Sequence, residues 1–525
     1  MDSVQQSAVN EQESGDAVAQ VLGDSVTHAD EATPLRVIVR RIETAFSAGD
    51  FATAASLVER NVLAAWFGLS TERFGEMVAT FQREGVGDSA VLPVMLQVMT
   101  PTDELEPPSE TSESDPLTAV ARSFQLRMQG RHVEAMEAAA RGAEVRRVLQ
   151  PLFDAHAGWG LFEALQYGVT AMLAGDFTAA LSALTRAQMH VVVPTLVFLS
   201  RDAYVKMAML HALYGDAERA RALLRDAERF SRTEVWAEEH IDVGVAIAAS
   251  QLPGVSPEKS IQMLDAVQMQ AIGEMWPFYF AALHRSLLAA GLLHEAEQRA
   301  EAFSAFGLPH VDGQGFAGSI FPLTAVTRAL SRGDLSAARR EIAKADGSLA
   351  LTRIIAGLLE TLAGRPAEAL EAVSGIHDQT GGLRQLELWR YSIAASSHLT
   401  LGGREDCYDV LKFALETSGS LTPVELSYFS DEVCAFAKEE VADWPVSDDK
   451  QPSYFDIFPA PGSALTPREI EVLGELSRGL SREQIASAQY ISVNTLKGHL
   501  RSIYRKLGVN SRARAVLEAE RRGLI

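Results

Sequence analysis

The chain has 525 residues, with 47 Lys and Arg against 69 Asp and Glu, a formal charge of −22, and only two cysteines. Its 47% of apolar residues can bury more than one core, while Cys407 and Cys434 are too few for a disulfide framework or a cysteine-based zinc site and fit a reducing compartment. Residues 465–525 hold 11 bases and 6 acids, net +5, and the other 464 residues are net −27, which excludes contact with a polyanion from all but the end of the chain.

The first 35 residues contain seven acids and no Lys or Arg, and are expected to be a disordered acidic tail. They show no basic region followed by an apolar stretch, so no secretory signal is read. Residues 36–440 form the body. Within it, 101–116 (PTDELEPPSETSESDP) reads as an acidic loop. Elsewhere a helical run ends at a glycine, a short turn follows, and a second helical run begins. The glycines are Gly49, Gly130, Gly175, Gly215, Gly291, Gly333, Gly364 and Gly403. Five residues on stand Ala54, Ala135, Ala180, Ala220, Ala296, Ala338 and Ala369, with Tyr408 as the exception. Glycine is expected to end each first helix by taking positive φ, and alanine to let the two helices approach closely. Most spacings lie between 31 and 45 residues; the gaps of 76 and 81 each leave room for one degenerate unit, the first around Gly254. Leu161, Leu165, Val169 and Met172 make one apolar stripe and Phe177, Ala180, Leu181 and Leu184 the other, so each hairpin must stack on a neighbour. The pattern predicts an all-α fold whose body resembles a tetratricopeptide-type superhelix. A linker over 441–463 follows, whose Tyr454, Phe455 and Phe458 are expected to dock on a neighbour.

The end of the chain, 464–525, predicts four helices from its caps. Thr466-Pro467-Arg468-Glu469 is a capping box with proline at the first helical position, and Gly479 ends that helix. Ser481 and Gln484 start the second, Ser492 the third, which runs to Leu507 before Gly508, and Ser511 the fourth. Only a few residues around Tyr490 and Ile491 join the second and third, the spacing of a helix-turn-helix. On the third helix Leu496, Leu500, Ile503 and Leu507 form a buried stripe, with Asn494, Lys497, Gly498, Arg501 and Arg505 opposite. An apolar face behind a basic one is what a recognition helix needs to enter the major groove.

This segment is similar to the DNA-binding domain of LuxR/FixJ-type regulators. The residues that carry the resemblance are Leu465-Thr466-Pro467-Arg468-Glu469, Val472-Leu473, Gly479, Ile485-Ala486, Ile491-Ser492, Thr495, Lys497, His499, Lys506-Leu507-Gly508 and Arg512. The resemblance implies that Lys497, Gly498 and Arg501 face base edges and that Thr495, Arg505, Lys506 and Arg512 face phosphate. The fourth helix, with Val516 and Leu517, would form a dimer contact. Two positions depart from the pattern: Gln489 stands where leucine is usual in the core, and Gly498 where a base-contacting side chain is usual. A helical body joined to such a tail is similar to the C-terminal half of the large ATP-binding LuxR-like regulators, without their nucleotide domain, since no phosphate-binding loop sequence occurs.

Other signals carry less. Gly313-Gln314-Gly315-Phe316-Ala317-Gly318 spells a dinucleotide motif but follows no strand, and reads as a loop. His294-Glu295 lacks a second histidine, Gln298 standing in its place. No catalytic, cofactor or metal-ligating set is read, and the chain is expected not to be an enzyme. The expectation is a cytoplasmic transcriptional regulator, nucleoid-associated when bound. Its expected partners are double-stranded DNA with an inverted-repeat operator, a second copy on DNA, a protein or small-molecule effector on the repeats, and RNA polymerase. The alternative is an interaction scaffold with an accessory DNA-binding tail. In the first reading the acidic body holds the tail and masks Lys497 and Arg501 until a partner competes.

Overall fold

The computed structural model describes residues 34–87, 92, 116–141, 158–446, 465–507, 509–521 and 524–525. Among these residues all regular structure is helical, and no helix is long and apolar enough to cross a membrane. The chain makes two compact units, one from residues up to Ala282 with Pro309–Ala317, the other from Leu283–Leu308 with Gly318–Ile525.

In the first unit the predicted hairpins are present. Helices Trp159–Ala174 and Phe177–Met189 meet at Gly175, whose φ of 89° lets its N–H reach the Ala171 and Met172 carbonyls. Asp176 then caps the second helix, accepting from the Ala179 amide at 2.9 Å. The same glycine–aspartate device recurs at Gly49-Asp50, Gly215-Asp216 and Gly333-Asp334, where each aspartate accepts an amide three residues on. It is a start signal that the glycine–alanine spacing alone did not reveal. The degenerate unit also exists: Ala237–Ser250 and Pro257–Asp265 flank Gly254, at φ 90°.

Two glycines differ from expectation. Gly215 has φ −118°, outside the left-handed region. Glycine is used there for space, since a Cβ would lie 2.6 Å from His211 Nδ1. Gly403 has φ −79°, and its neighbour Gly402, at φ 83°, makes the turn.

The alanine positions are the packing centres. Ala54, Ala135, Ala180, Ala220, Ala338 and Ala369 have no exposed surface, and Ala296 has 1%. Gly168 faces this alanine row across its hairpin: a Cβ there would come within 2.9 Å of Leu184 and 3.7 Å of the Ala180 carbonyl. In the second unit Gly357 repeats the contact, 2.8 Å from Val373 and 3.4 Å from the Ala369 carbonyl. Both glycines sit twelve residues before their alanine. The stripes are buried as expected, except that Leu181 is half-buried.

In the second unit, helices Arg384–Thr400, Arg404–Ser418 and Asp431–Glu440 enclose Leu388, Tyr391, Cys407, Leu411, Phe429 and Phe436. This core reaches Trp444, past the boundary expected at 440. Cys407 is fully buried and desolvation raises its thiol to about 11, while Cys434 is half-buried. The G-x-G-x-x-G sequence has no strand before it: Gly313 turns at φ 69° and a helix starts at Gly315.

Of the three stretches read as unstructured, the acidic tail ends sooner than expected, because a helix begins at Pro34 and buries Leu35. Residues 1–33, the acidic loop up to 115, and Tyr454, Phe455 and Phe458 lie outside the described residues.

Replacing Ala180 by leucine should overpack the hairpin and lower its stability by about 1–3 kcal/mol. Amide hydrogen exchange across residues 159–189 measures this. Unchanged protection would mean that the helix pair opens to admit the larger side chain.

Candidate nucleic-acid interface

The four helices at the end of the chain are α1 (Pro467–Ser477), α2 (Arg482–Ala488), α3 (Val493–Leu507) and α4 (Arg512–Arg521). Each starts at the cap expected from sequence. Thr466 and Glu469 exchange bonds at 3.3 and 2.7 Å, and Ser481 and Gln484 at 3.2 and 2.7 Å. Ser492 accepts the Thr495 amide at 3.0 Å, and Ser511 the Arg514 amide at 3.3 Å. Val472, Leu473, Leu476, Ile485, Leu496, Leu500, Ile503, Leu507, Ala515 and Ala519 form one core among them.

The turn between α2 and α3 is closed by a pair of bonds typical of a left-handed helix end. The Tyr490 amide donates to Ser487 O at 3.2 Å and the Ile491 amide to Ala486 O at 2.9 Å. This geometry puts Tyr490 at φ 54°, a conformation glycine or asparagine adopts more easily. The tyrosine side chain gains nothing from the fold in return, being 96% exposed.

Gln489, the departure from the core pattern, is buried at 8% exposure. Its Nε2 donates to Glu475 Oε1 at 2.8 Å, and its backbone carbonyl accepts from Arg468. The amide therefore packs in the place of leucine by recruiting an acid from α1. Among the described residues, Gln489 Oε1 and Glu475 Oε2 are buried without hydrogen-bond partners, so the exchange is incomplete.

The predicted contact residues divide into two groups. Asn494, Thr495, Lys497, Gly498, Arg501 and Arg505 are exposed along α3. Among the described residues, Lys497, Arg501 and Arg505 form no ion pair, so three cations stand free on the face opposite Leu496, Leu500 and Ile503. Lys506 and Arg512 are held inside the domain instead. Lys506 Nζ donates to Glu469 Oε2 at 2.7 Å in a pair with 16% and 5% side-chain exposure. Arg512 donates to the Leu476 carbonyl at 2.6 Å, closing the end of α1. On α4, Leu517 is 67% exposed, whereas Val516 packs against the core.

The Glu469–Lys506 pair was missed by reading the basic residues of α3 as one set. Lys506 follows Ile503 by three positions, which turns it toward the buried side and away from Arg501 and Arg505. Burial is the largest influence on the Glu469 carboxyl and works against its ionisation. Hydrogen bonds from Lys506, Thr466 and Ser502 together outweigh it and hold the carboxyl at about 2, below its ordinary 4.5.

Residues 463–519 match the family model described as bacterial regulatory proteins of the luxR family. These residues are a LuxR-type helix-turn-helix domain. Over 64 residues the segment is 52% identical to the nitrate/nitrite response regulator protein NarP of Escherichia coli, covering 12% of this chain and 30% of that protein. It is 41% identical over 64 residues to the HTH-type transcriptional regulator AlkS of Pseudomonas putida, covering 12% and 7%. It is 46% identical over 59 residues to the HTH-type transcriptional regulator MalT of Yersinia pestis, covering 11% and 6%. The chain thus spans under a third of the length of each of these relatives, and the likeness covers about an eighth of this chain. No solved structure matches the chain.

Two outcomes follow from this geometry. The stabilisation from the Glu469 carboxylate is complete above about pH 4.5 and is lost as pH falls toward 2, because the folded group titrates below its unfolded value. Glu469→Gln should remove that acid dependence and destabilise the LuxR-type domain by about 3–5 kcal/mol, since it leaves Lys506 buried without its carboxylate. Exchange protection of α1–α3 amides in the full chain reads both effects, and equal protection in variant and parent would refute the role. Tyr490→Asn should instead raise protection by about 1 kcal/mol by relieving the left-handed tyrosine. A loss of protection would show that the tyrosine ring supports the turn.

Proposed function

We propose that the protein is a sequence-specific DNA-binding transcriptional regulator whose LuxR-type domain inserts α3 into the major groove. The observation that carries this is the row of exposed cations Lys497, Arg501 and Arg505, unpaired among the described residues, on the face of α3 opposite its buried stripe. A net charge of +5 over 465–525 suits a polyanion, and the relatives named as regulators share this segment. In this reading Lys497 and Arg501, one turn apart, read base edges with Gly498 between them. Thr495 and Arg505 hold phosphates. Lys506 and Arg512 act from within, fixing α3 and α4 on α1, rather than as free phosphate ligands. The exposed Leu517 is the apolar contact through which two copies bind an inverted repeat. The helical hairpins of the body receive the signal from a protein or small-molecule effector, and RNA polymerase is the target of the bound regulator.

The test is selection of sites from a randomised duplex library by the full chain, followed by binding of the selected operator. Arg501→Ala should cost about 1–3 kcal/mol and relax preference at one base position. Arg505→Ala should weaken binding to every duplex alike and lower the slope of log affinity against log salt by about one. If the full chain selects no sequence, or Arg501→Ala changes neither affinity nor preference, the reading fails. Retained function of the body without DNA binding would then favour the scaffold alternative.

A further inference from the structure

Gly498 lies inside α3, where glycine costs about 0.8–1 kcal/mol relative to alanine. The fold offers no reason for that cost. Gly498 does not take a positive φ. Among the described residues a Cβ placed on it would meet nothing within 4 Å, whereas one at Gly168 or Gly357 would collide below 3 Å. Nothing among the described residues demands glycine at this position.

The neighbours say what meets it. Gly498 is exposed between Lys497 and Arg501, with Asn494 one turn before, on the face that carries the free cations. Its own amide and carbonyl are taken by the bonds of the helix, so it cannot read a base edge by hydrogen bonding. It leaves a shallow notch in the helix surface, with Asn494 one turn before it and Arg501 one turn after. In the major groove the one apolar group that projects from a base edge is the 5-methyl group of thymine.

We propose that the Gly498 notch is a specificity-determining feature that receives a thymine methyl group, so that the operator carries a T·A pair at the position facing it. A side chain at 498 would hold the helix back from that methyl group. The proposal rests on the DNA-binding reading above and assigns to Gly498 a selectivity that the flanking cations do not supply.

The test uses the full chain and the same randomised duplex library. One thymine in each selected half-site should, when replaced by deoxyuridine, lower affinity about fourfold, the worth of one buried methylene-sized group. At that position the G498V chain should no longer select thymine, and its affinity should not respond to the uridine exchange. Amide exchange protection of α1–α3 in the G498V chain should be at least that of the parent, showing that the domain is folded; G498A, which adds the least volume, should weaken the uridine response without abolishing it. If no thymine-to-uridine exchange changes affinity, or if G498V selects the same sequence with the same affinity, the notch is refuted while DNA binding stands. Failure of the parent chain to select any duplex overturns both the binding reading and the notch.

Discussion

Placement of the recognition helix depends on one carboxylate. Glu469 closes the capping box of α1 through the Thr466 amide and also accepts from Lys506 near the end of α3. The first bond is local and sets where α1 begins; the second spans 37 residues and sets where α3 lies. Because the carboxylate is buried, neither bond competes with bulk water, and the loss of one partner leaves a charge in the core. The Arg512 bond to the Leu476 carbonyl closes the other end of α1 and brings α4 onto the same helix. Thus α1, which carries none of the proposed contacts, is the strut against which α3 presents Lys497 and Arg501.

What could be read from the sequence follows the range of the interaction. Caps act within three or four residues, so Thr466, Ser481, Ser492 and Ser511 announce their helices without knowledge of anything distant. The buried stripe of α3 is equally local, being a periodicity. The body hairpins were legible for the same reason: a turn glycine and an alanine five residues later are features of one short segment. Long-range relations were not legible. The helical position of Lys506 turns it off the face of the free Arg505, but nothing in the local text says that Glu469 is its partner. Nothing predicts that Gln489 would find Glu475. Gly215 and Gly403 looked like the other turn glycines, yet one is required by the His211 ring and the other follows the glycine that actually turns.

The body repeats the same lesson in packing. Gly168 and Gly357, twelve residues before Ala180 and Ala369, leave room for Leu184 and Val373 and bring the helix backbone close to the Ala180 and Ala369 carbonyls. Small residues on both sides of a hairpin leave little room for adjustment, since interiors are close-packed. Aromatic residues instead reach other hairpins, as with Phe177, which lies 4.9 Å from Tyr214 and 5.4 Å from Phe316 between ring centres. A hairpin that is tight within itself and aromatic toward its neighbour has reason to occur in an array and little reason to occur alone.

Against this economy, two residues of the LuxR-type domain stand out because they cost stability where nothing inside the protein recovers it. Tyr490 holds a left-handed backbone with its ring in solvent, and Gly498 leaves an exposed helix without a side chain. Apart from the incompletely satisfied contact of Gln489 with Glu475, local preference and tertiary packing agree elsewhere in the domain, from the proline after Thr466 to the alanines of α4 buried on α1. Both departures belong to the helix-turn-helix, one in its turn and one in its second helix. A sequence shaped by folding alone would replace each at a gain of stability. Both lie close to the free cations of α3, and in the proposed reading their cost is recovered when DNA comes close to the backbone of α3.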